Sequence, residues 1–229
     1  MPDKPIIQSR WLGRIQYEEA LALQESLVRE RTKAIKNQKS KLQNPDLLLL
    51  LEHEPVYTMG RTPNQSSLRN AEQLPHPVVH INRGGQATYH GPGQLVGYPI
   101  LDLKSRGQDL HRYLRAIEEV LIEVLGRYGI TAQRREGLTG VWIAGKKIAS
   151  IGVGVRHWIT MHGFALNVCG DLSPFQHITP CGIANVEMTS VERESRRSVP
   201  VREVADCIAA IFPERMEALL AARSAKNSK

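Results

Sequence analysis

The sequence lacks the features that would mark a membrane or exported protein. Its longest uninterrupted run of leucine, Leu47–Leu51, is far too short to cross a bilayer. The N-terminus, Met-Pro-Asp-Lys-Pro, has no basic region followed by an apolar one, as a signal peptide would have. We therefore expect a soluble, cytoplasmic protein with no membrane partner.

Cysteine is scarce, and its spacing excludes the common cysteine frameworks. Cys169, Cys181 and Cys207 are the three cysteines, so one is unpaired in any disulfide scheme. No C-x-x-C spacing suggests zinc, and His53 has no second pair of ligands near it in the sequence. We expect no metal, place His53 at most at the edge of a pocket, and read each thiol as a small buried hydrophobe or a reactive group.

Length and charge set the next limits. A chain of 229 residues with 41% hydrophobic content can bury one substantial core. We predict one catalytic domain over residues 1–222 and a disordered tail over 223–229. The net charge is +7, and much of the basic excess lies in residues 29–41 and 193–202. These stretches are either solvated helix faces or a surface for an acidic protein partner. Nucleic acid is not expected, because the basic residues are not interleaved with aromatic ones.

Hydrophobic periodicity predicts helices and strands in alternation. Tyr17–Lys41 has a helical period, and Leu47–Leu51 reads as a strand buried on both faces in the middle of a sheet. The clearest helical stripe starts at Leu110, with Asp109 as its cap and Gly129 as its stop. We interpret that stripe as core packing.

A β region follows that helix. Val141–Ile143, Lys147–Val155 and Trp158–Val168 are separated by tight turns, which predicts an antiparallel meander. The fold class is therefore α/β in the α+β sense: a single domain with a mixed β-sheet and flanking helices, and not a doubly wound parallel sheet.

Two prolines suggest interruptions. Pro99 lies inside the strand Leu95–Leu101, which predicts a strand near an edge or bulged. Pro213 divides the C-terminal apolar region, which predicts two helices, Pro200–Ile211 and Pro213–Ala222.

A glycine-rich stretch, residues 83–94 (RGGQATYHGPGQ), joins the strand that begins at Val78 to the strand that begins at Leu95. Glycines allow positive φ and close approach of a ligand, and the polar side chains between them can converge on one ligand. The stretch matches neither phosphate-loop pattern, G-x-G-x-x-G nor G-x-x-x-x-G-K-[ST]. From spacing alone it is either a ligand loop or a tight surface turn.

One cysteine is placed to react. Cys181 lies in a Pro-Cys-Gly turn, where a rigid and a permissive neighbour can present the thiol at a cleft. A free thiol is mostly protonated at neutral pH and needs a nearby cation or base. From the residues alone the activating group could be Lys146, Lys147 or His162, and a buried, unreactive Cys181 remains an alternative.

Four segments together resemble one family, the octanoyltransferases of lipoate biosynthesis. They are the loop at 83–94, the hairpin strand Lys147–Gly152 (KIASIG), the strand His162–Val168 (HGFALNV) and the turn Pro180–Gly182. Their order and approximate spacing follow that family from about Leu47 to Ser190. The family is similar in fold to the catalytic domains of biotin and lipoate protein ligases.

The resemblance implies a reaction and its residues. Octanoyl-acyl carrier protein would acylate Cys181, and the octanoyl group would pass to a lysine of lipoyl domains, as in 2-oxoacid dehydrogenases and the glycine cleavage H protein. Lys147 would activate the thiol and shuttle the proton, and no cofactor would be needed. The acyl-substrate contacts implied are Arg83, Gly84, Gly85, Gln86, Ala87, Thr88, Tyr89, His90, Ser150, Ile151, Gly152, Gly163, Phe164 and Ala165.

Two other functions stay open at this point. An ATP-dependent lipoate or biotin ligase shares the loop and the Lys-Ile strand, but it proceeds through an acyl-adenylate and needs no cysteine. Gln86 and the Pro-Cys-Gly turn favour the transferase over it. A non-catalytic basic binding module would instead leave Cys181 inert to alkylation.

Overall fold

A computed structural model describes residues 7–37, 45–61, 67–68, 74–179 and 186–221. The main sheet has seven strands in the order β1-β2-β6-β10-β9-β8-β7, and a second sheet has three in the order β4-β3-β5. The strands are β1 Ile7–Ile15, β2 Asp46–His53, β3 Val56–Met59, β4 Val78–His80, β5 Thr88–His90, β6 Gln94–Ile100, β7 Gln133–Arg135, β8 Leu138–Ile143, β9 Lys146–Arg156 and β10 Ile159–Asn167. Parallel and antiparallel pairs occur in both sheets, which confirms the mixed α/β class.

The helices cover both faces of the main sheet. They are α1 Tyr17–Lys36, α2 Leu110–Arg127, α3 Val191–Ser195 and α4 Val201–Ala221, with short 3-10 turns at Lys104–Arg106 and Ser173–His177. Leu48 and Leu50 of β2 join the core that includes α2 and α4, which we call the apolar core. The alternate residues Leu47, Leu49 and Leu51 pack on the α1 side. β2 is thus buried on both faces, as predicted.

The start of α1 and both ends of α2 agree with their sequence signals. Asp109 caps α2, its side chain accepting a hydrogen bond from the Arg112 amide at 2.9 Å, and Gly129 follows the helix with φ +72°. The predicted cap at Asp109 and stop at Gly129 are both confirmed, because capping and positive φ are local properties. α1 begins at Tyr17 as predicted and ends at Lys36; the rest of the predicted helix falls in residues 38–44, outside the described ranges.

The antiparallel meander is confirmed as β8, β9 and β10. The sequence prediction missed β1, which pairs parallel to β2 at the edge of the main sheet. Charged and apolar residues mix without strict alternation along β1, as suits a strand with one neighbour. The predicted tail, residues 223–229, lies outside the described residues.

The prediction that the Pro99 strand lies near an edge is wrong. β6 is paired on both sides, with β2 and with β10. The ladder from β10 stops at the pair Phe164 and Gly97, and contact resumes where the Thr160 amide donates to Leu101 O at 3.0 Å. The proline therefore lies where β10 makes no ladder hydrogen bond, so its missing N–H costs little.

The prediction of two C-terminal helices is also wrong, because α4 runs through Pro213. A proline inside a helix removes one hydrogen bond and costs about 3 kcal/mol. The buried face nevertheless continues across it at helical spacing: Val201, Val204, Ala205, Ile208, Phe212, Met216 and Leu220. Burial of these side chains outweighs the local penalty. Among the described residues, no helix is long and apolar enough to span a membrane.

Candidate active site

A cavity of about 350 Å³ opens beside the glycine-rich loop. Eleven of the fourteen residues that the resemblance implied as acyl contacts line it: Arg83, Gly84, Gly85, Thr88, His90, Ser150, Ile151, Gly152, Gly163, Phe164 and Ala165. They come from the loop, β5, β9 and β10, and the sheet register brings β9 and β10 together through the pairs Gly152 with Gly163 and Ser150 with Ala165.

Three of the implied residues do not line the cavity. Ala87 and Tyr89 point into a separate small core with Tyr57 and Phe175, and the Tyr89 and Phe175 rings meet edge to face at 5.6 Å. Gln86 lies on the loop without reaching the lining. Alternation along β5 explains the split, because Thr88 and His90 face the cavity while Tyr89 faces away.

The lining also includes residues that the sequence does not assign to a substrate site. They are Tyr17, Tyr98, Leu110, Leu114, Gly137, Leu138, Thr139, Val153 and His162. From the sequence, Leu110 and Leu114 are expected in the core packing of α2, and His162 is a candidate thiol activator. Since these residues come from separate elements, no sequence spacing could have grouped them.

Arg83 holds the loop in place from inside. Its guanidinium donates to the carbonyl and to the hydroxyl of Thr58 at 3.0 and 2.9 Å, and to Gly84 O at 2.9 Å. Gly60 leaves room for it, since a Cβ there would lie 3.0 Å from Arg83 Nη1 and 2.2 Å from Gly85 O. Arg83 therefore fixes the loop to β3 and borders the cavity at the same time.

A chain of buried hydrogen bonds runs from the cavity to Lys147. His90 Nδ1 donates to Gln94 Oε1 at 2.7 Å, and Gln94 Nε2 donates to Asn167 Oδ1 at 3.0 Å. Asn167 Nδ2 donates to Thr189 O at 3.0 Å, and the Thr189 amide donates to Lys147 O at 3.0 Å. Buried networks with satisfied members specify one arrangement, so this chain links the loop to the strand that carries Lys147.

Five aromatic side chains form a second buried feature, which we call the histidine cluster: Tyr17, His53, His90, Tyr98 and His162. Neighbouring ring centroids in it are 5.0 to 6.5 Å apart. His53 Nδ1 lies 3.1 Å from Ile15 O and must donate to it, so Nε2 accepts from the Tyr98 hydroxyl at 2.7 Å. His53 is fully buried and does not line this cavity, which agrees with the expectation that it lies at most at a pocket edge.

The three histidines of the cluster are uncharged at neutral pH. Burial lowers the pKa of His53 to about 4. Burial and the neighbouring His53 lower the pKa of His90 to about 3. Burial and the Arg83 guanidinium lower the pKa of His162 to about 4. His162 also has φ +56° in the middle of β10, and its amide donates to Gln24 Oε1 at 2.7 Å. Neutral histidines give the cavity wall polarity without charge.

The two adjacent lysines differ sharply in environment. Lys147 is 1% exposed, and its Nζ lies 5.2 Å from the centre of the Trp142 ring. The side chain of Lys146 is 40% exposed and its Nζ lies 3.6 Å from Glu187 and 3.8 Å from Glu194. Lys147 is therefore the buried one of the pair.

Cys181 lies in residues 180–185, outside the described ranges. The described residues on either side of that segment are fixed near the site: the Thr179 amide donates to Ser67 O, and the Ser67 hydroxyl accepts from the Ala87 amide of the loop. After the segment, the Lys147 amide donates to Glu187 O at 2.8 Å. Of the other cysteines, Cys169 and Cys207 are half-buried, and burial raises the pKa of both thiols.

Comparison with known proteins places the chain in a class and then in a family. The model of the lipoyl protein ligase A/B catalytic domain matches residues 16–213, which sets the class of the protein. The described residues contain no group of three or more histidine, cysteine, aspartate or glutamate side chains able to hold a metal ion.

Curated proteins of similar sequence identify the family within this class. The chain is 51% identical to the octanoyltransferase of Geobacter sulfurreducens over 201 residues, which is 88% of this chain and 81% of that protein. It is 55% identical to the octanoyltransferase of Synechococcus elongatus over 150 residues, 65% of this chain and 64% of that protein. The protein thus belongs to the octanoyltransferases of the lipoyl protein ligase A/B family.

Solved structures agree on the fold. P. falciparum LipL1 in complex with lipoate superposes with a TM-score of 0.69 at 14% identity, covering 93% of this chain and 63% of that one. A biotin protein ligase from Aquifex aeolicus with biotin and ATP gives 0.57 at 14% identity, covering 96% and 72%. The predicted similarity to lipoate and biotin ligase catalytic domains is confirmed.

Proposed function

We propose that this octanoyltransferase takes its acyl group from octanoyl-acyl carrier protein, holds it as a thioester on Cys181, and passes it to a lysine of a lipoyl domain. The observation that carries the proposal is the burial of Lys147, on a strand that is hydrogen-bonded to the chain just after residues 180–185, which include Cys181. Burying a lysine to 1% exposure on a hairpin strand costs free energy, and buried ionisable groups of this kind cluster at functional sites. The Lys147 backbone amide donates to Glu187 O, two residues past residues 180–185.

The steps follow from ordinary thioester chemistry. The Cys181 thiolate attacks the carbonyl carbon of the donor thioester, and the bond to the donor sulfur breaks, releasing that sulfur as a thiol once protonated. The acceptor lysine, as a neutral amine, then attacks the enzyme thioester, and Cys181 leaves. The Lys147 ammonium favours the Cys181 thiolate and gives its proton to the departing donor sulfur. The neutral Lys147 amine that remains then accepts a proton from the incoming lysine, which restores the ammonium and the thiolate, so Lys147 can serve both steps.

The cavity suits a medium acyl chain. Leu110, Leu114 and Leu138 form part of its wall, while the glycines of the loop, β9 and β10 keep the backbone close to the space inside. In this proposal the acyl substrate is bound by three segments, Arg83–His90, Ser150–Gly152 and Gly163–Ala165. Within the first segment, Gln86, Ala87 and Tyr89 act only by shaping the loop. The transfer needs no nucleotide and no metal.

Both protein substrates are expected to dock through charge. The proposed donor and acceptor are acidic as families, and the enzyme is basic. Part of the basic excess is already engaged, since Arg31 is buried against Asp46 at 2.9 Å and Arg202 pairs with Asp206 at 2.8 Å. Exposed basic residues such as Arg196 remain for docking. The rate with octanoyl-acyl carrier protein should fall as ionic strength rises; a rate independent of salt contradicts this part of the proposal.

The test is transfer of octanoate to a lipoyl domain from octanoyl-acyl carrier protein without ATP. Lys147→Ala should lower kcat by about 10²- to 10⁴-fold, the range for loss of general acid–base catalysis. Lys146→Ala is the matched control on the neighbouring exposed residue, and should stay within about two-fold because exposed ion pairs contribute little.

Two results would overturn the proposal. Full activity of Lys147→Ala would remove that residue from the chemistry. Transfer that requires free octanoate and ATP, with none from the acyl carrier protein, would instead indicate a ligase that works through an acyl-adenylate.

A further inference from the structure

The Lys147 ammonium lies over the face of the Trp142 indole ring. Trp142 and Lys147 are directly paired across β8 and β9, and Nζ lies 5.2 Å from the ring centre. Both residues are 1% exposed. A cation over an aromatic face is attracted by the ring quadrupole, most strongly by tryptophan, and the attraction grows when water is excluded.

Hydrogen bonds within the described residues do not explain why a tryptophan occupies this position. The Trp142 indole N–H is buried, and the described structure gives it no acceptor. Leaving a buried donor unpaired is unfavourable, and a phenylalanine would avoid that cost. What the indole adds over a smaller apolar residue is its face, which lies within 5.4 Å of Arg135 as well as under Lys147.

A glycine on the same strand gives the lysine room. A Cβ at Gly140 would lie 2.8 Å from Lys147 Cε and 3.3 Å from Nζ, and 2.6 Å from Ala149 O. The Gly140 amide donates to the buried Glu118 carboxylate at 3.0 Å, and Arg115 and Arg134 pair with that carboxylate. α2 thus anchors β8, and β8 leaves a path along which the lysine side chain can run to the indole.

We propose that Trp142 is a positioning residue for acyl transfer: it holds the Lys147 ammonium in place, along a path that Gly140 keeps open. The inference rests on the proposed role of Lys147. It adds a residue that is not part of the cavity lining and acts only through the lysine.

The test is a double-mutant cycle on steady-state octanoyl transfer from octanoyl-acyl carrier protein to a lipoyl domain. Trp142→Leu should lower kcat by about 10- to 30-fold, as loss of a desolvated cation–π contact predicts, with KM changed less than about two-fold. Trp142→Phe keeps an aromatic face and should lose less than about five-fold. In the Lys147→Ala background, Trp142→Leu should change the residual rate less than about two-fold, because the group it positions is already absent.

A matched control exists elsewhere in the main sheet. Trp11 of β1 lies under Arg202 at 5.4 Å, so Trp11→Leu also removes an indole from beneath a cation. That variant should transfer octanoate at the wild-type rate. If Trp142→Leu lowers the rate by the same factor with and without Lys147, or if Trp142→Phe is as slow as Trp142→Leu, the indole is only a packing residue and the inference is wrong.

A readout independent of catalysis separates this inference from the proposed function. With ¹³Cε-labelled lysine, the Lys147 signal, assigned by its loss in Lys147→Ala, should lie upfield from ring current and return to an ordinary shift in Trp142→Leu. An ordinary shift in the wild type would overturn the placement. An upfield signal together with full activity of Lys147→Ala would show a correct placement and a wrong proposed function, and would leave Trp142 with no role in the reaction.

Discussion

Two buried regions lie on opposite faces of the main sheet, and they differ in chemistry more than in burial. The apolar core between the sheet, α2 and α4 contains leucine, isoleucine and valine side chains such as Leu121 and Val124. The histidine cluster on the α1 side is buried from solvent to a similar degree, yet it consists of rings with titratable or hydrogen-bonding atoms. Apolar packing stabilises the fold at any pH, whereas buried neutral histidines resist protonation. The apolar core therefore supplies stability at any pH, and the histidine cluster supplies the polar part of a cavity wall whose apolar part comes from Leu114, Val153 and Phe164.

The largest expected effect is a loss of folding stability at low pH, which comes from the histidine cluster and not from the apolar core. The pKa values of His53, His90 and His162 are about 4, 3 and 4 when folded, against an ordinary 6.5. Below pH 6.5 the unfolded chain binds these protons and the native state does not, so stability falls as pH falls towards 4. Between pH 7.5 and 5 we expect a loss of roughly 2 kcal/mol per histidine.

Urea unfolding at pH 7.5, 6 and 5 measures this loss. His53→Gln should reduce the difference between pH 7.5 and 5 by about one histidine's share, whatever it does to stability at pH 7.5. Equal free energies of unfolding at pH 7.5 and 5 would show that the cluster is accessible to protons in the native state.

The next effect is confined to the apolar core. Leu121→Ala should lower the free energy of unfolding by roughly 3 kcal/mol, from lost transfer energy and the cavity left behind. The loss should be the same at pH 7.5 and pH 6, and KM for the acyl donor should not change. A changed KM with intact stability would mean that this core is coupled to the cavity.

A third change acts on both stability and the site. A Cβ at Gly163 would lie 2.2 Å from Gly97 O and 2.6 Å from Pro99 Cδ, so Gly163→Ala must separate β10 from β6 at Gly163, a residue that lines the cavity. We expect a loss of roughly 2 kcal/mol of stability and a lower kcat/KM. Gly126→Ala on α2, where nothing lies within 4 Å, is the control and should stabilise slightly. A harmless Gly163→Ala would contradict the tight packing of β6 on β10.

The smallest effect tests one hydrogen bond of the cluster. Tyr98→Phe removes the donor 2.7 Å from His53 Nε2 and should cost about 1 to 2 kcal/mol, because a buried acceptor is left unpaired. Thermal unfolding at pH 7.5 measures it. No change in the melting temperature would mean that water replaces the lost hydroxyl.

Local signals in the sequence predicted α2, β2 and the meander, because caps, runs of leucine and tight turns act over a few residues. The proline signals failed for the opposite reason. The predictions at Pro99 and Pro213 depend only on the backbone chemistry of proline. The pairing of β6 with β10 and the continuous buried face of α4 depend on the rest of the fold. Tertiary packing decided both cases.

The site shows the same division. The glycine-rich loop and the Lys-Ile strand could be read from the sequence, and most of their implied residues do line one cavity. The histidine cluster could not, since its five residues come from α1, β2, β5, β6 and β10. The placement of Trp142 beneath Lys147 depends on the register between β8 and β9, which shifts between Val141 and Trp142 and so escapes simple alternation.

The most direct test of the central claim is the intact mass of the protein after incubation with octanoyl-acyl carrier protein. Wild type should gain one octanoyl group, labile to hydroxylamine as a thioester is, and Cys181→Ser should gain none. Cys169→Ser and Cys207→Ser are the matched controls, and both should still be acylated. Acylation that survives Cys181→Ser, or no acylation of the wild type while transfer to the lipoyl domain proceeds, would contradict a thioester on Cys181.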